Sequence, residues 1–142
     1  MNSRRVALLV PCNKNFKVIL QRRKGFINKL TKDYGFFGGG LEKGETVEQA
    51  LKREIDEELT IDVNNIKSLK FFKTYHYEVK EIDLAVESNV FLCDLQDVEK
   101  MDVKEGKPAT FKIDDATRLN MFDMDKRILK EINEFIKDKK IN

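Results

Sequence analysis

A segment at 46–59 combines strong helix signals with acidic residues on its apolar side, and this combination constrains the fold more than any other feature. Thr46 and Gln49 have the spacing of a capping box, a pattern typical of a helix start. On a wheel of about 100° per residue, one arc collects the large apolar side chains, namely Val47, Leu51, Ile55 and Leu59. The segment is therefore predicted to be an amphipathic helix that packs on a core.

Glu54 and Glu58 fall inside that apolar arc, at about 340° and 20° with Val47 set at zero, and Glu57 falls at its edge. Carboxylates are almost never fully buried unless they are paired or bound to a metal, and two of them at i,i+4 repel each other. The helix alone leaves two readings open. Either the acidic face is solvated, as most are, or a cation lies over it.

A glycine-rich run, Gly38-Gly39-Gly40 followed by Gly44, leads into this helix. Glycines allow a ligand to approach the backbone closely, and main-chain groups beside a helix start can join a metal or phosphate site. Oxygen ligands from several carboxylates suit Mg²⁺ or Mn²⁺, and the chain has one histidine and no CxxC pair to compete with them. Loop and helix together favour a metal site over a solvated face.

These residues resemble the Nudix box, Gly-x5-Glu-x7-Arg-Glu-U-x-Glu-Glu-x-Gly-U, where U is aliphatic. Gly39, Glu45 and the run from Arg53 to Ile61 match every fixed position except the last glycine, which is replaced by Thr60. The motif is specific for the family and says little about the substrate. Because the lost glycine follows the acidic residues, we expect a local change in the turn that ends the helix.

The resemblance implies an α/β fold, namely an α/β/α sandwich with a mixed central β-sheet that carries the box as a loop–helix–loop. It also implies that Glu54, Glu57 and Glu58 are ligands of Mg²⁺ or Mn²⁺, and that the carbonyl of Gly38 is a further ligand. The remaining box residues take supporting roles: Gly39 is expected to contact the substrate, and Glu45 and Arg53 to orient the carboxylates.

Outside the box, the resemblance to MutT-like nucleotide pyrophosphatases implies three further site residues. Glu105, in a Lys-Glu-Gly stretch, is a candidate metal ligand or general base, with Glu99, Asp102 or a solvated loop carboxylate as alternatives. Arg23 corresponds to a position that contacts substrate phosphates. Asn120 corresponds to a position that reads the base in some members.

Alternating and periodic apolar patterns predict the order of the remaining elements. Strands are expected at 5–10, 17–20, 33–37, 68–74, 75–79, 84–86, 89–95 and 109–113, with long loops at 22–44 and 96–108. A second helix is expected at 123–137, where apolar residues recur at three- and four-residue steps. The whole chain, 1–142, is interpreted as one domain.

Composition excludes several classes of protein. The 27 basic and 25 acidic residues nearly cancel, which argues against a stable nucleic-acid or membrane-surface partner. Cys12 and Cys93 are far apart in sequence and are interpreted as two free, mostly buried thiols in a reducing compartment. His76, in a strand-like context, is interpreted as structural. No signal peptide or membrane span is recognised, so the predicted location is cytoplasmic.

The sequence therefore favours an enzyme that uses Mg²⁺ or Mn²⁺ to hydrolyse a phosphoanhydride bond in a small nucleotide, with a nucleoside triphosphate, oxidised or not, as the first candidate substrate. ADP-ribose, dinucleoside polyphosphates and nucleotide sugars are alternative substrates. A nucleotide-sensing module without turnover and an acidic interaction domain without metal are the rival classes. Many members of the family dimerise, so a homodimer is one expectation.

Overall fold

The computed structural model describes residues 2–22, 32–59, 61–99 and 107–139. These residues form a mixed sheet whose strands are β1 (Asn2–Cys12), β2 (Lys17–Arg22), β3 (Tyr34–Gly35), β4 (Phe37–Gly40), β5 (Lys70–Val79), β6 (Leu84–Asp94) and β7 (Lys107–Lys112). The helices of the same residues are α1 (Val47–Glu58), α2 (Ile113–Ala116) and α3 (Asp123–Lys139). Short 3-10 turns lie at Val63–Asn65, Lys80–Ile82 and Leu95–Asp97.

The sheet is organised around β1, which runs parallel to β6 along its whole length. All other strand pairs are antiparallel, and the main path through the sheet is β3-β2-β1-β6-β5. β4 and β2 share the second edge of β1: β4 pairs with Val6–Leu9, and β2 reaches only Cys12. The glycines of β4 are consequently held against the middle of the central strand.

Helices cover both faces of the sheet and divide the apolar core in two. Ala7 and Leu9 of β1 pack with the buried residues of α1, whereas Val10 packs with those of α2 and α3. This division follows from the strand period of two, since successive side chains point to opposite faces. The predicted α/β/α sandwich with a mixed sheet is confirmed.

The predicted first helix is also confirmed in its bounds and its cap. Thr46 is the N-cap residue, its side chain accepts a hydrogen bond from the Gln49 amide, and the Gln49 side chain accepts one from the Thr46 amide. Both halves of the capping box are therefore present.

Two of the predicted strand breaks are wrong. The predicted strands at 68–74 and 75–79 belong to one strand, β5, which begins only at Lys70 and has an irregularity between Phe71 and Lys73. Those at 84–86 and 89–95 belong to one strand, β6, which ends at Asp94. Ser88 and Asn89, at the second predicted break, are buried, and their side chains form hydrogen bonds with the side chains of Tyr77 and Thr74 on β5. Hydrogen bonds between the side chains allow the strand to continue through them.

The predicted strand at 109–113 begins earlier and ends earlier than expected. β7 runs from Lys107 to Lys112, and Ile113 starts the short helix α2. Lys112 is opposite Lys17, the first residue of β2, so the ladder has no further partner for Ile113, whose amide instead donates to the carbonyl of Phe16 at 2.8 Å. The predicted strand at 33–37 is divided between β3 and β4.

The two cysteines of the described chain are free, as predicted: Cys93 is buried and Cys12 is partly buried. They lie on adjacent strands, β6 and β1. Burial raises the pKa of the Cys12 thiol to about 11 and raises that of Cys93 as well. Such thiols are poor nucleophiles at neutral pH. Among the helices that the structure describes, none has the length and apolarity needed to cross a membrane.

Candidate metal and phosphate site

Glu58, near the end of α1, connects the helix to β4, which carries Gly38, Gly39 and Gly40 and is called the glycine strand below. The residue is 5% exposed, and its Oε1 accepts a hydrogen bond of 2.6 Å from the Gly38 amide. Gly38 has a φ of +120°, and a Cβ at this position would collide with the carbonyl of Ala7 on β1. Only glycine fits this backbone, so the strand can approach the Glu58 carboxylate closely.

Glu54, one turn earlier on α1, faces the next glycine. A Cβ added to Gly39 would lie 2.7 Å from the Glu54 carboxylate carbon, well inside normal contact distance. The Glu54 side chain is 18% exposed. The wheel expectation that Glu54 and Glu58 turn inward is therefore confirmed. The missing side chain of Gly39 provides the space in which the Glu54 carboxylate lies.

Arg53 joins three parts of this region through its guanidinium group. Its Nε and Nη2 donate to the two carboxylate oxygens of Glu45 at 2.8 and 2.9 Å, and Nη2 also donates to the Gly40 carbonyl at 2.9 Å. Its Nη1 donates to Glu54 at 2.9 Å and lies 3.5 Å from Glu57. A planar guanidinium can make these contacts at once, and a lysine cannot.

These hydrogen bonds keep both Glu45 and Arg53 ionised. The side-chain bonds from Arg53, with a further bond from the Glu42 amide, lower the pKa of Glu45 to about 2. The bonds to Glu45 and then to Glu54 raise the pKa of Arg53. An ionised pair therefore clamps the loop to α1 throughout the neutral range.

Glu57 differs from the other two glutamates because its side chain is 57% exposed. Among the described residues, no three Asp, Glu, His or Cys side chains converge on one point that could hold a metal ion. The three carboxylates have separate partners: Glu54 and Glu57 face Arg53, and Glu58 accepts from the Gly38 amide. These groups offer only oxygen donors, which fits Mg²⁺ or Mn²⁺ and does not fit a soft metal.

The structure brings together seven of the predicted site residues, which are Gly38, Gly39, Glu45, Arg53, Glu54, Glu57 and Glu58. Asn120 is exposed and lies beside β3, where its carbonyl accepts a hydrogen bond from the Tyr34 amide. Glu99 is exposed and lines a depression of about 570 Å³ at the carboxyl ends of β1 and β6. Arg23, Thr60, Asp102 and Glu105 lie outside the described residues.

One residue of this region was missed at the level of sequence. The guanidinium of Arg4, on β1, lies beside Gly40: a Cβ on that glycine would be 3.1 Å from the Arg4 Nε and 3.2 Å from its Nη2. The sequence offered one signal for this contact, namely Gly40, a glycine that the box pattern does not require. The pairing of β1 with β4 was needed to show that the side chain beside it is Arg4.

The fold and the site together define the class of protein: a mixed sheet between helical layers, with a glycine strand packed against carboxylates of the first helix. The model of the NUDIX domain matches residues 1–132. This chain therefore belongs to the Nudix family of hydrolases.

Similar proteins are found by sequence and by structure. An uncharacterised Nudix hydrolase from Nostoc sp. is 48% identical over 44 residues, which span 30% of this chain and only 26% of that protein. The match therefore covers only about a quarter of the length of that relative.

Solved structures with the same fold include a MutT protein from Bacillus halodurans (TM-score 0.62, 22% identity, 89% of this chain and 80% of that chain). An E. coli dihydroneopterin triphosphate pyrophosphohydrolase is similar as well (TM-score 0.63, 19% identity, 92% and 97%). So is a C. elegans Ap4A hydrolase (TM-score 0.65, 15% identity, 97% and 99%). At these identities the likeness establishes a shared fold.

Proposed function

We propose that this protein is a Mg²⁺- or Mn²⁺-dependent hydrolase that cleaves a phosphoanhydride bond in a small nucleotide. The observation that carries the proposal is the pair of inward carboxylates, Glu54 and Glu58, packed against Gly39 and Gly38. Acidic groups on the inner side of a helix are stabilised by a bound cation. The backbone of a glycine strand leaves room for phosphates.

Glu54, Glu57 and Glu58 would hold the metal, together with the Gly38 carbonyl and with Glu105. When bound, the metal neutralises phosphate charge and lowers the pKa of a water molecule. Glu57, the most exposed of the three helix carboxylates, or Glu105 would accept the proton of the attacking water. Arg53, fixed by Glu45, would hold Glu54 in place beside Gly39.

For the substrate we propose a nucleoside triphosphate, oxidised or not, with Arg23, Gly39 and Asn120 as substrate contacts. The similar structures named above are of a MutT protein, an Ap4A hydrolase and a dihydroneopterin triphosphate pyrophosphohydrolase, and the last two names denote small phosphorylated substrates. The net charge of +2 supports a small substrate over a long nucleic acid. A cytoplasmic location agrees with two free thiols.

A hydrolysis screen tests this proposal. The purified chain is incubated with nucleoside triphosphates, 8-oxo-dGTP, ADP-ribose, diadenosine tetraphosphate and a nucleotide sugar, in Mg²⁺, Mn²⁺ or EDTA, and the products are identified by mass spectrometry. We expect metal-dependent cleavage, strongest for a nucleoside triphosphate and abolished by EDTA.

Calorimetric titration of Mg²⁺ and Mn²⁺ into the wild type and into Glu54→Gln and Glu58→Gln separates the rival classes. Metal binding that these substitutions weaken, without turnover of any compound, would instead indicate a sensing module. Absence of carboxylate-dependent metal binding would instead indicate an interaction domain.

A further inference from the structure

Arg4 offers a cation directly above the glycine strand. Its guanidinium lies within 3.1 to 3.2 Å of the position that a Gly40 side chain would occupy. Gly40 pairs with Val6, so the Arg4 side chain extends forward along β1, towards Val6, to reach it. Gly40 does not have a positive φ, so its backbone does not require glycine, and a side chain at this position would crowd the Arg4 guanidinium.

The main chain of Arg4 pairs with Val86 of β6, whereas its side chain makes no hydrogen bond or ion pair within the described residues. The next residue, Arg5, gives a direct comparison: its Nε donates to Glu87 at 2.7 Å. A guanidinium has five donors in a planar fork, which suits the oxygens of a phosphate. The donors of the Arg4 guanidinium are therefore not used by any other described residue and can bind an anion.

Arg4 and Glu54 lie beside neighbouring glycines, on opposite faces of the glycine strand. Gly39 and Gly40 are successive strand residues, so their side-chain positions point to opposite faces of β4. The Glu54 carboxylate lies at the first position and the Arg4 guanidinium at the second. Successive Cα atoms are only about 3.8 Å apart. The Glu54 carboxylate and the Arg4 guanidinium therefore flank the same short stretch of backbone, which carries no side chains.

We propose that Arg4 is a substrate-positioning residue that binds a phosphate oxygen of the phosphoanhydride on the face of β4 opposite Glu54. This inference rests on the proposed function, because it assigns the second side of the same site. A diphosphate lying across the glycine strand would meet the metal-binding carboxylates on one side and Arg4 on the other. The interaction forms on binding, so its loss raises KM more than it lowers kcat.

Binding of inorganic pyrophosphate, followed by calorimetry in Mg²⁺ and in EDTA, tests the assignment without turnover. We expect Arg4→Ala to weaken binding about tenfold, the size of one charge-assisted hydrogen bond. Arg4→Lys keeps the charge without the fork and should lose less. Arg5→Ala is the matched control and should bind pyrophosphate within about twofold of the wild type, because Arg5 is already paired with Glu87.

A rescue variant makes the test specific to position. Arg4→Ala combined with Gly40→Lys returns a cation to the vacated space from the neighbouring strand. The double variant should recover most of the lost affinity for pyrophosphate and bring KM back towards the wild-type value. Equal affinity of the wild type and Arg4→Ala in both conditions, with normal melting, would overturn the assignment. So would an equal loss in Arg5→Ala. If the wild type binds pyrophosphate through Arg4 and hydrolyses no nucleotide, the proposed function fails and the anion contact stands.

Discussion

At the scale of single residues, the site depends on pairs in which a glycine faces a long charged side chain. Gly38 faces Glu58, Gly39 faces Glu54, and Gly40 faces Arg4. The Glu54 carboxylate lies where a Gly39 side chain would be, and the Arg4 guanidinium lies beside the position of a Gly40 side chain. Gly38 instead donates its main-chain amide to Glu58. A run of glycines in sequence thus becomes a run of contacts in space.

Glu57→Gln is the substitution that best separates activity from stability. Glu57 is 57% exposed and contributes little to the core, so the variant should melt like the wild type. Turnover of the best substrate from the screen should fall at least about a hundredfold, because a glutamine neither accepts a proton nor binds a hard cation as a carboxylate does.

Asp56→Asn is the matched control for that measurement, since it removes an adjacent carboxylate from the exposed side of α1. It should keep turnover within about twofold of the wild type. Near-wild-type turnover in Glu57→Gln, on the same substrate, would show that Glu57 does not take part in the reaction.

At the scale of elements, α1 and the glycine strand act as one unit held by Arg53. The helix end is fixed to β4 by Glu58, and the loop before the helix is fixed to its second turn by the Glu45–Arg53 pair. The capping box sets where the helix begins, and therefore which side chains face β4. Rotation of the helix by one residue would move the carboxylates away from the glycines by about 100°.

Arg53→Lys tests this clamp. Lysine keeps the charge but loses the two-point contact with Glu45 and the bond to the Gly40 carbonyl, so the free energy of unfolding should fall by about 1–3 kcal/mol. Affinity for Mg²⁺ should fall by about tenfold or more, because the support of the ligands is lost. Urea denaturation and calorimetry measure the two effects.

Lys52→Arg is the companion variant for Arg53→Lys, since it makes the reverse exchange at the exposed neighbouring position. Its stability should stay within about 0.5 kcal/mol of the wild type. Equal stabilities of Arg53→Lys and the wild type would mean that the guanidinium contacts contribute nothing to the clamp.

At the scale of the whole molecule, α3 holds the opposite face of the sheet and stabilises its edge. Glu131 of α3 accepts hydrogen bonds from Lys73 at 2.7 Å and Tyr75 at 3.1 Å, both on β5, and from Arg127 at 3.0 Å. The bond from Lys73 is the largest of the effects that lower the pKa of Glu131. This network is remote from the glycine strand in sequence and on the opposite side of the sheet from α1.

The lowered pKa of Glu131 predicts how stability depends on pH. A carboxyl whose pKa is lower in the folded state stabilises the fold above its unfolded pKa, about 4.3, and loses that contribution as the pH falls through the folded value. Glu131→Gln should therefore lower stability at pH 7 by up to about 1 kcal/mol, since its partners Lys73 and Arg127 are more than half exposed. The difference should shrink below about pH 4.

Chemical denaturation between pH 3 and pH 7 would measure that difference. Glu134→Gln, an exposed position on the same helix, should show no such pH dependence. A gap between wild type and Glu131→Gln that is constant across the range would contradict the assignment of the network.

Local patterns in the sequence determined much of this molecule. The helix period placed Glu54 and Glu58 inward, and the capping box fixed the start of α1, because both depend on residues within a few turns of each other. The alternation of apolar residues found the strands, although it divided β5 and β6, each of which is one continuous strand. The motif identified the family from one contiguous stretch.

Only the tertiary structure decided which distant residues meet. Pairing of β1 with β4 brings Arg4 over Gly40, and the packing of α1 on β4 joins Glu58 to the Gly38 amide. Neither contact is encoded by spacing, since each depends on the register between strands or on how a helix lies on the sheet. The inward glutamates were therefore readable from the chain, whereas the cation on the other side of the glycine strand required the fold.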